Sequence, residues 1–450
     1  MATLTRIAMG TVQPLADATA ITWALMEALG RRDLRVQGFL SHAYFCPRDG
    51  ATAITGFPAR HLDSWLMTRP ICKQVFVRGC ANCELALVEG TYNGDTTRCS
   101  VADSNFEAIC EWLDLPRLAV VDARMLSACR LPPRPSKLDG VLLDRVRDAA
   151  ELGQLQTQFE ALWKVPVFGS LGELPALRSE IASVDCGNQP SLALCRALGD
   201  SLERKTRIEP ILNLAASRPW RMVVESPAAF PRGKLPTLRV AVAYDDAFRG
   251  YFPDSLDLLE RHGATILDFS PLHDERLPPH TDVVYVGCGH PERFARELSE
   301  NDCLVLALKS HVSSGGRIYA ECGGLAYLCQ ELELADGQRW PMAGVLPSTA
   351  RFDPTPELPT PTEVCLSDDN WLGSAGQTWR GYLSPRWSLS STDQLQTCCR
   401  EPGHESDVVK CHQAVGSRLY LNLAAHEAML DHFFAPRGSI AKTVLAVPPG

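Results

Sequence analysis

The sequence predicts an α/β protein of two domains, each built on a mainly parallel sheet. Three observations carry this. Strand-like and helix-like stretches alternate from the first residues onward, the pattern of parallel strands covered on both faces by helices. Thr5-Arg-Ile-Ala-Met9, a tight loop and the helix-like run Asp17–Leu29 open the chain, an order that suits a nucleotide-binding domain. Much later, Ile318-Tyr-Ala-Glu-Cys-Gly-Gly-Leu-Ala-Tyr-Leu328 reads as a strand (Arg317–Ala320), a sharp turn and a helix (Leu325–Leu332). Such an elbow exposes one side chain at its apex, here Cys322, with helix-opening amides beside it. Gly323 and Gly324 follow where a Cβ would collide.

Composition narrows the function classes. A length of 450 residues suits two or three domains, and 45% hydrophobic residues supply their cores. A formal net charge of −9 argues against a general nucleic-acid binder. No apolar run is long enough to span a bilayer. The N-terminal stretch Met1–Gly10 reads as a first strand and not as a signal peptide, so the expected location is cytoplasmic. The 17 cysteines are then mostly small buried hydrophobes. Cys80-Ala-Asn-Cys83 would need two further ligands to hold zinc. Cys398-Cys399 and Cys411-His412 do not supply them at a zinc-like spacing, and no metal site is expected.

In the N-terminal half, strands are expected at Leu34–Phe39, Leu85–Val88, Leu118–Asp122, Gly140–Leu143 and Val165–Phe168, with a helix over Asp148–Trp163. Ser217–Thr237 carries four prolines and few periodic apolar positions, which marks a linker. The expected boundaries are therefore residues 1–216, a linker 217–237 and a second domain 238–450. The second domain begins with the strand Leu238–Ala243. Helix Leu256–His262 and strands Ala264–Phe269 and Val283–Gly287 precede the elbow.

Several segments resemble one family in the same order. His61-Leu-Asp-Ser-Trp-Leu66, Val88-Glu-Gly90 with Asn93-Gly-Asp95, Val120-Val-Asp-Ala123 and Gly140-Val-Leu-Leu-Asp-Arg-Val146 look like the ATP-binding domain of cobyrinic acid a,c-diamide synthases. Tyr244-Asp-Asp-Ala-Phe248, Tyr251-Phe-Pro-Asp254, Ser270–Pro278, Gly287-Cys-Gly-His-Pro-Glu292 and the elbow resemble that family's class I glutamine amidotransferase-like domain. The resemblance implies a P-loop NTPase-like doubly wound sheet followed by the amidotransferase-like fold. It implies Cys322 as nucleophile and Gly287, Gly289 and Gly323 as the oxyanion region. It places Gly10, Thr11, Asp17, Thr19, Glu89 and Asp122 at the nucleotide site, and Phe248 and Tyr251 on an aromatic loop that meets a corrinoid or other tetrapyrrole. An active member would use ATP, Mg²⁺ and glutamine, and the family suggests a homodimer.

Two departures oppose that activity. The family's phosphate loop reads Gly-Thr-x-Ser-Gly-x-Gly-Lys-Thr-Thr, whereas this chain has Gly10-Thr-Val-Gln-Pro-Leu-Ala-Asp-Ala-Thr19. Asp17 replaces the lysine, Ala18 the magnesium-binding hydroxyl, and Pro14 removes a donor. Opposite unit charges ~4 Å apart are worth about 4 kcal/mol at an effective dielectric of ~20, so a reversed sign matters. Asp17 instead suits a helix N-terminus, and Asp144 stands where the family tends to carry asparagine. The second departure concerns the base that a cysteine nucleophile needs. The family's Tyr-x-His-x-His becomes Tyr420-Leu-Asn-Leu-Ala, with Asn422 and Ala424 at the histidine positions. His426 lies two residues further, a shift of ~6.6 Å along a strand, and suits the start of a helix over Ala428–Phe434. The segment expected to read Arg-Gly-His-Glu-Phe-His reads Arg380-Gly-Tyr-Leu-Ser-Pro-Arg386. The favoured reading is a pseudoenzyme that needs no cofactor and is retained to bind a ligand or a protein partner. The rivals are a working synthase with His426 as base, and a thiol hydrolase or acyl carrier using Cys322 alone.

Overall fold

Runs rich in Val, Leu, Ile and Ala build most of the central strands of both sheets. In this computed structural model residues 3–14, 16–41, 48–92, 105–126, 131–185, 187–218, 220–221, 238–354, 359–390, 395–399 and 407–436 are described. The chain divides into two compact units, Met1–Arg232 and Gly233–Gly450.

The first unit is doubly wound. Its strands are β1 (Thr3–Thr11), β2 (Val36–Leu40), β3 (Arg60–His61), β4 (Leu85–Thr91), β5 (Arg117–Asp122), β6 (Gly140–Val146) and β7 (Val167–Gly172). They run parallel in the order β3-β2-β4-β1-β5-β6-β7. Every residue of β5 is buried, as a strand covered on both faces requires. Helix Thr19–Gly30 packs Ile21, Leu25 and Leu29 into one core with Leu194, Leu198 and Leu202 of helix Leu192–Glu203. Asp148 caps helix Ala149–Trp163 by accepting the Glu151 amide at 2.8 Å. The strand expected at Val165 begins at Val167 instead, because Pro166 lends the ladder only its carbonyl, to the Val141 amide at 2.9 Å. Of the expected linker, Trp220–Arg221 pair antiparallel with Leu4 and Thr3 of β1. Residues 222–237 and Asn93-Gly-Asp95 lie outside the described residues.

Because β1 is flanked by β4 and β5, the carboxyl ends of these three strands meet at the switch point where open α/β sheets bind ligands. The glycine-threonine pair ending β1, the glutamate in β4 and the aspartate ending β5 all lie there.

The second unit is built on β8 (Arg239–Ala243), β9 (Thr265–Phe269), β10 (Val283–Val286), β11 (Arg317–Glu321), β12 (Gln396–Thr397), β13 (Val408–Cys411) and β14 (Ala414–Ser417). Their order is β9-β8-β10-β11-β14-β13-β12, parallel from β9 to β14 and antiparallel beyond. The helix after the elbow is shorter than the sequence suggests. It spans Gly323–Leu328, and Cys329–Glu333 is a strand, antiparallel to Arg339–Pro341 and parallel to Leu346–Phe352. Two-sided sheet pairing overrides the helical propensity of Gln330-Glu-Leu-Glu-Leu334.

Candidate functional site

The elbow holds its cysteine in a strained conformation. Cys322 has φ 48° and ψ −110°, outside the regions a side chain favours. Its amide donates to the Ser417 carbonyl at 2.8 Å and its thiol to the Arg418 carbonyl at 3.4 Å, so β14 fixes both ends of the residue. The two glycines after it are sterically obligatory. A Cβ on Gly323 would lie 2.5 Å from the Gly289 carbonyl oxygen, and one on Gly324 would lie 2.3 Å from that of Val286. The turn after β10 therefore presses directly on the elbow. Gly323 opens the short helix, where an amide has no intrahelical acceptor.

Within that turn the expected oxyanion donors divide. The Gly287 amide donates to the Tyr251 hydroxyl at 2.9 Å and is thereby spent, which corrects its expected role. Gly289 pairs with Phe248 in a two-stranded ladder and lies against Gly323. The next residues hold a feature that sequence reasoning passed over. His290 Nδ1 lies 2.9 Å from Glu292 Oε1, and both side chains are nearly buried. The signal was present as a histidine two positions from a glutamate within a quoted segment.

Glu321, just before the cysteine, was also missed. It is fully buried and accepts the Tyr319 hydroxyl at 2.6 Å and the Leu421 amide at 3.4 Å. Burial pushes its carboxyl up to about 8, partly offset by the hydrogen bonds from Tyr319 and Leu421. Glu321 thus ties the elbow to the segment where the base is expected.

That segment offers no imidazole to the cysteine. The strand is only Leu419–Tyr420, so the expected strand through His426 is corrected. Asn422 caps a 3₁₀ turn, Leu423–Ala425, by accepting the Ala424 amide at 3.0 Å, and Leu423 donates to Ser255 Oγ at 3.0 Å. This cap turns the backbone out of the strand. His426 precedes helix Glu427–Phe434, and its Nε2 lies 2.7 Å from the Arg380 carbonyl. Burial lowers its pKa, only partly countered by that bond.

At the switch point of the first unit the loop satisfies its own donors. Gln13 is buried and pairs twice with the Asp122 backbone, donating to its carbonyl and accepting its amide, each at 2.8 Å. The Ala16 amide donates to the Gln13 carbonyl at 3.2 Å, and the Thr19 amide to Asp17 Oδ1 at 2.9 Å. Asp17 is exposed at the head of helix Thr19–Gly30. Gly10 is packed beneath Phe106 and Tyr92, and the Thr11 hydroxyl donates to that of Thr91 at 3.1 Å. Glu89 is pushed up to about 7, first by burial and also by the charge of Asp17, while the Thr22 hydroxyl pulls the other way. Asp122 carries Arg145 at 3.0 Å, and Asp144 holds Arg178. Burial raises Asp144 to about 6 despite that arginine.

The ring-stacking role expected of Phe248 and Tyr251 does not fit the structure. Phe248 is fully buried with its ring 5.4 Å from that of Tyr327. Tyr251 packs edge-on against Tyr285 at 5.1 Å and donates its hydroxyl to the Ala243 carbonyl at 2.5 Å. Both cover the core. Tyr244, in the same loop, is 52% exposed.

A strained cysteine between a parallel strand and a helix, pressed by a glycine turn, defines a glutamine amidotransferase-like domain. Residues 239–382 match the CobB/CobQ-like glutamine amidotransferase domain. A solved glutamine amidotransferase overlaps 43% of this chain and 96% of its own, at 15% identity and a TM-score of 0.34, a likeness too slight to carry an argument. Cobyrinate a,c-diamide synthase of Syntrophotalea carbinolica is 32% identical over 381 residues, 82% of each chain. That of Synechocystis sp. is 32% identical over 79% of this chain and 77% of its own, and that of Dehalococcoides mccartyi strain CBDB1 29% over 87% of each. The chain belongs to the cobyrinate a,c-diamide synthase family.

The buried Glu321 sets a pH dependence. Its folded value, about 8, lies above the ordinary 4.5, so the fold keeps a proton that the unfolded chain releases. Its stabilising share is complete below about pH 4.5 and is lost as pH rises toward about 8. Thermal melts across pH 5–8 should show Glu321→Gln gaining on the wild type as pH rises. Parallel curves for the two proteins would mean that the carboxyl is ionised in the fold.

Proposed function

We propose that the chain is a catalytically impaired member of the cobyrinate a,c-diamide synthase family, retained to bind a large conjugated acid such as a corrinoid rather than to amidate it. The observation that carries this is the cap formed by Asn422. The elbow keeps its strained cysteine and its glycine turn, while the segment tied to it by Glu321 ends in an asparagine that bonds its own backbone. Without a base no group is placed to take the cysteine's proton or to hand one to the leaving ammonia.

The first site supports the same reading. A phosphate loop works by turning free amides and an ammonium toward anionic oxygens. Here Pro14 has no amide, those of Ala16 and Thr19 are spent internally, and Asp17 contributes a negative charge. These residues do not fit a nucleoside triphosphate with Mg²⁺.

One observation favours the rival reading of an active enzyme. The His290–Glu292 pair sits in the turn that packs on Gly323, and a carboxylate-oriented imidazole is what a cysteine nucleophile uses. In this reading His290 would replace the missing base.

Ammonia release from glutamine by the purified chain separates the two. The impaired reading expects none above a Cys322→Ala control. Turnover that vanishes in both Cys322→Ala and His290→Gln would establish the rival.

Ligand retention is tested by visible-light titration of a corrinoid without nucleotide. Binding should occur below millimolar concentration and weaken about tenfold in Tyr244→Ala, as loss of an exposed stacking ring costs on the order of 1.4 kcal/mol. Absence of binding would overturn the ligand role and leave a protein partner as the reason the fold is kept.

A further inference from the structure

The Cys80-Ala-Asn-Cys83 motif takes no part in either site, and its geometry is that of a closable pair. Cys80–Asn82 form a 3₁₀ turn following helix Arg69–Gly79, and the Cys83 amide donates to the Cys80 carbonyl at 3.3 Å. A 3₁₀ turn rises ~2.0 Å per residue and eclipses side chains three apart. The Cα atoms of Cys80 and Cys83 are therefore roughly 6 Å apart, inside the ~4.4–6.8 Å range that a disulfide spans.

Their surroundings differ in the sense that exchange chemistry needs. Cys80 is fully buried and Cys83 is partly buried. The neighbouring Cys80 thiol holds Cys83 below its ordinary value, helped by the Gln37 backbone and Arg35 and opposed by burial and Glu84. Burial pushes Cys80 the other way, more than Arg60 and Arg6 compensate. A partly exposed, more acidic thiol with a buried thiol behind it supplies an attacking sulfur backed by a resolving one. The other buried thiols differ: burial pushes Cys72, Cys110 and Cys329 up to about 12.

We propose that Cys80 and Cys83 form a redox-active dithiol that a small-molecule disulfide converts into an intramolecular disulfide. The Cys83 thiolate attacks one sulfur of R–S–S–R, forming a mixed disulfide and displacing R–S⁻. Cys80 then gives its proton to solvent, and its sulfur attacks that of Cys83, displacing the second R–S⁻. The protein loses two electrons and two protons, and one disulfide becomes two thiols. The new bond staples the end of helix Arg69–Gly79 to the residue that leads into β4.

The tryptic peptide Gly79–Arg98 contains these two cysteines and no others. The folded full-length chain is incubated with oxidised glutathione at pH 7, its free thiols are blocked, and the peptides are weighed. The wild-type peptide should become two hydrogens lighter, about tenfold faster than the exposed Cys303 acquires glutathione. Cys80→Ser should trap glutathione on Cys83, and Cys83→Ser should leave Cys80 unmodified over the same time. A wild-type peptide that stays reduced while Cys303 reacts, or that keeps glutathione on Cys83 without closing, would overturn the proposal. These outcomes use the native chain, so a variant that fails to fold does not blunt the test.

Discussion

The second unit depends on one steric constraint, the contact between the elbow and the turn after β10. The carbonyls of Val286 and Gly289 occupy the space where side chains at positions 324 and 323 would stand. That contact forces the chain to reverse at Cys322 and holds the cysteine at positive φ. The strain, of order 1–3 kcal/mol, persists only because the neighbours over-determine it. Ser417 and Arg418 grip the cysteine from β14, and Glu321 joins the elbow to Leu421. Packing and these hydrogen bonds keep the apex in place whether or not chemistry follows.

The two sites share one pattern. Groups that would serve a ligand serve the backbone. In the first unit Asp17 takes the Thr19 amide and Gln13 clamps Asp122. In the second, Asn422 takes the Ala424 amide and Tyr251 takes that of Gly287. Each bond satisfies a polar group that would otherwise cost free energy when buried. Such exchanges stabilise a fold locally and need no substrate, which accords with a scaffold kept for binding. The His290–Glu292 pair is the one arrangement at the elbow that points the other way.

Much of this was legible in the sequence. Apolar runs located the starts of the expected strands to within two residues, while β4, β6 and β7 run three or four residues further than expected, and the glycine pair after Cys322 located the elbow. What failed was decided by partners distant in sequence. The end of the post-elbow helix at Leu328 depends on strands at residues 339–341 and 346–352. The aromatic loop promised exposed rings, but Phe248 and Tyr251 turn inward because Tyr327 and Tyr285 lie beneath them. The strand toward His426 ended early because Asn422 can bond its own backbone, a short-range preference that alignment to a histidine motif hides. Glu321 gave no signal, since an acid beside a nucleophile looks solvated until two tyrosines and a buried amide surround it.

The central claim is that a family scaffold persists without its charged chemistry, and the phosphate loop exposes it most directly. Calorimetric titration of ATP with Mg²⁺ into the full-length chain should give no saturable heat below millimolar nucleotide. A micromolar dissociation constant that is lost when Asp17 and Thr19 are substituted would contradict the account and return the chain to the working synthases.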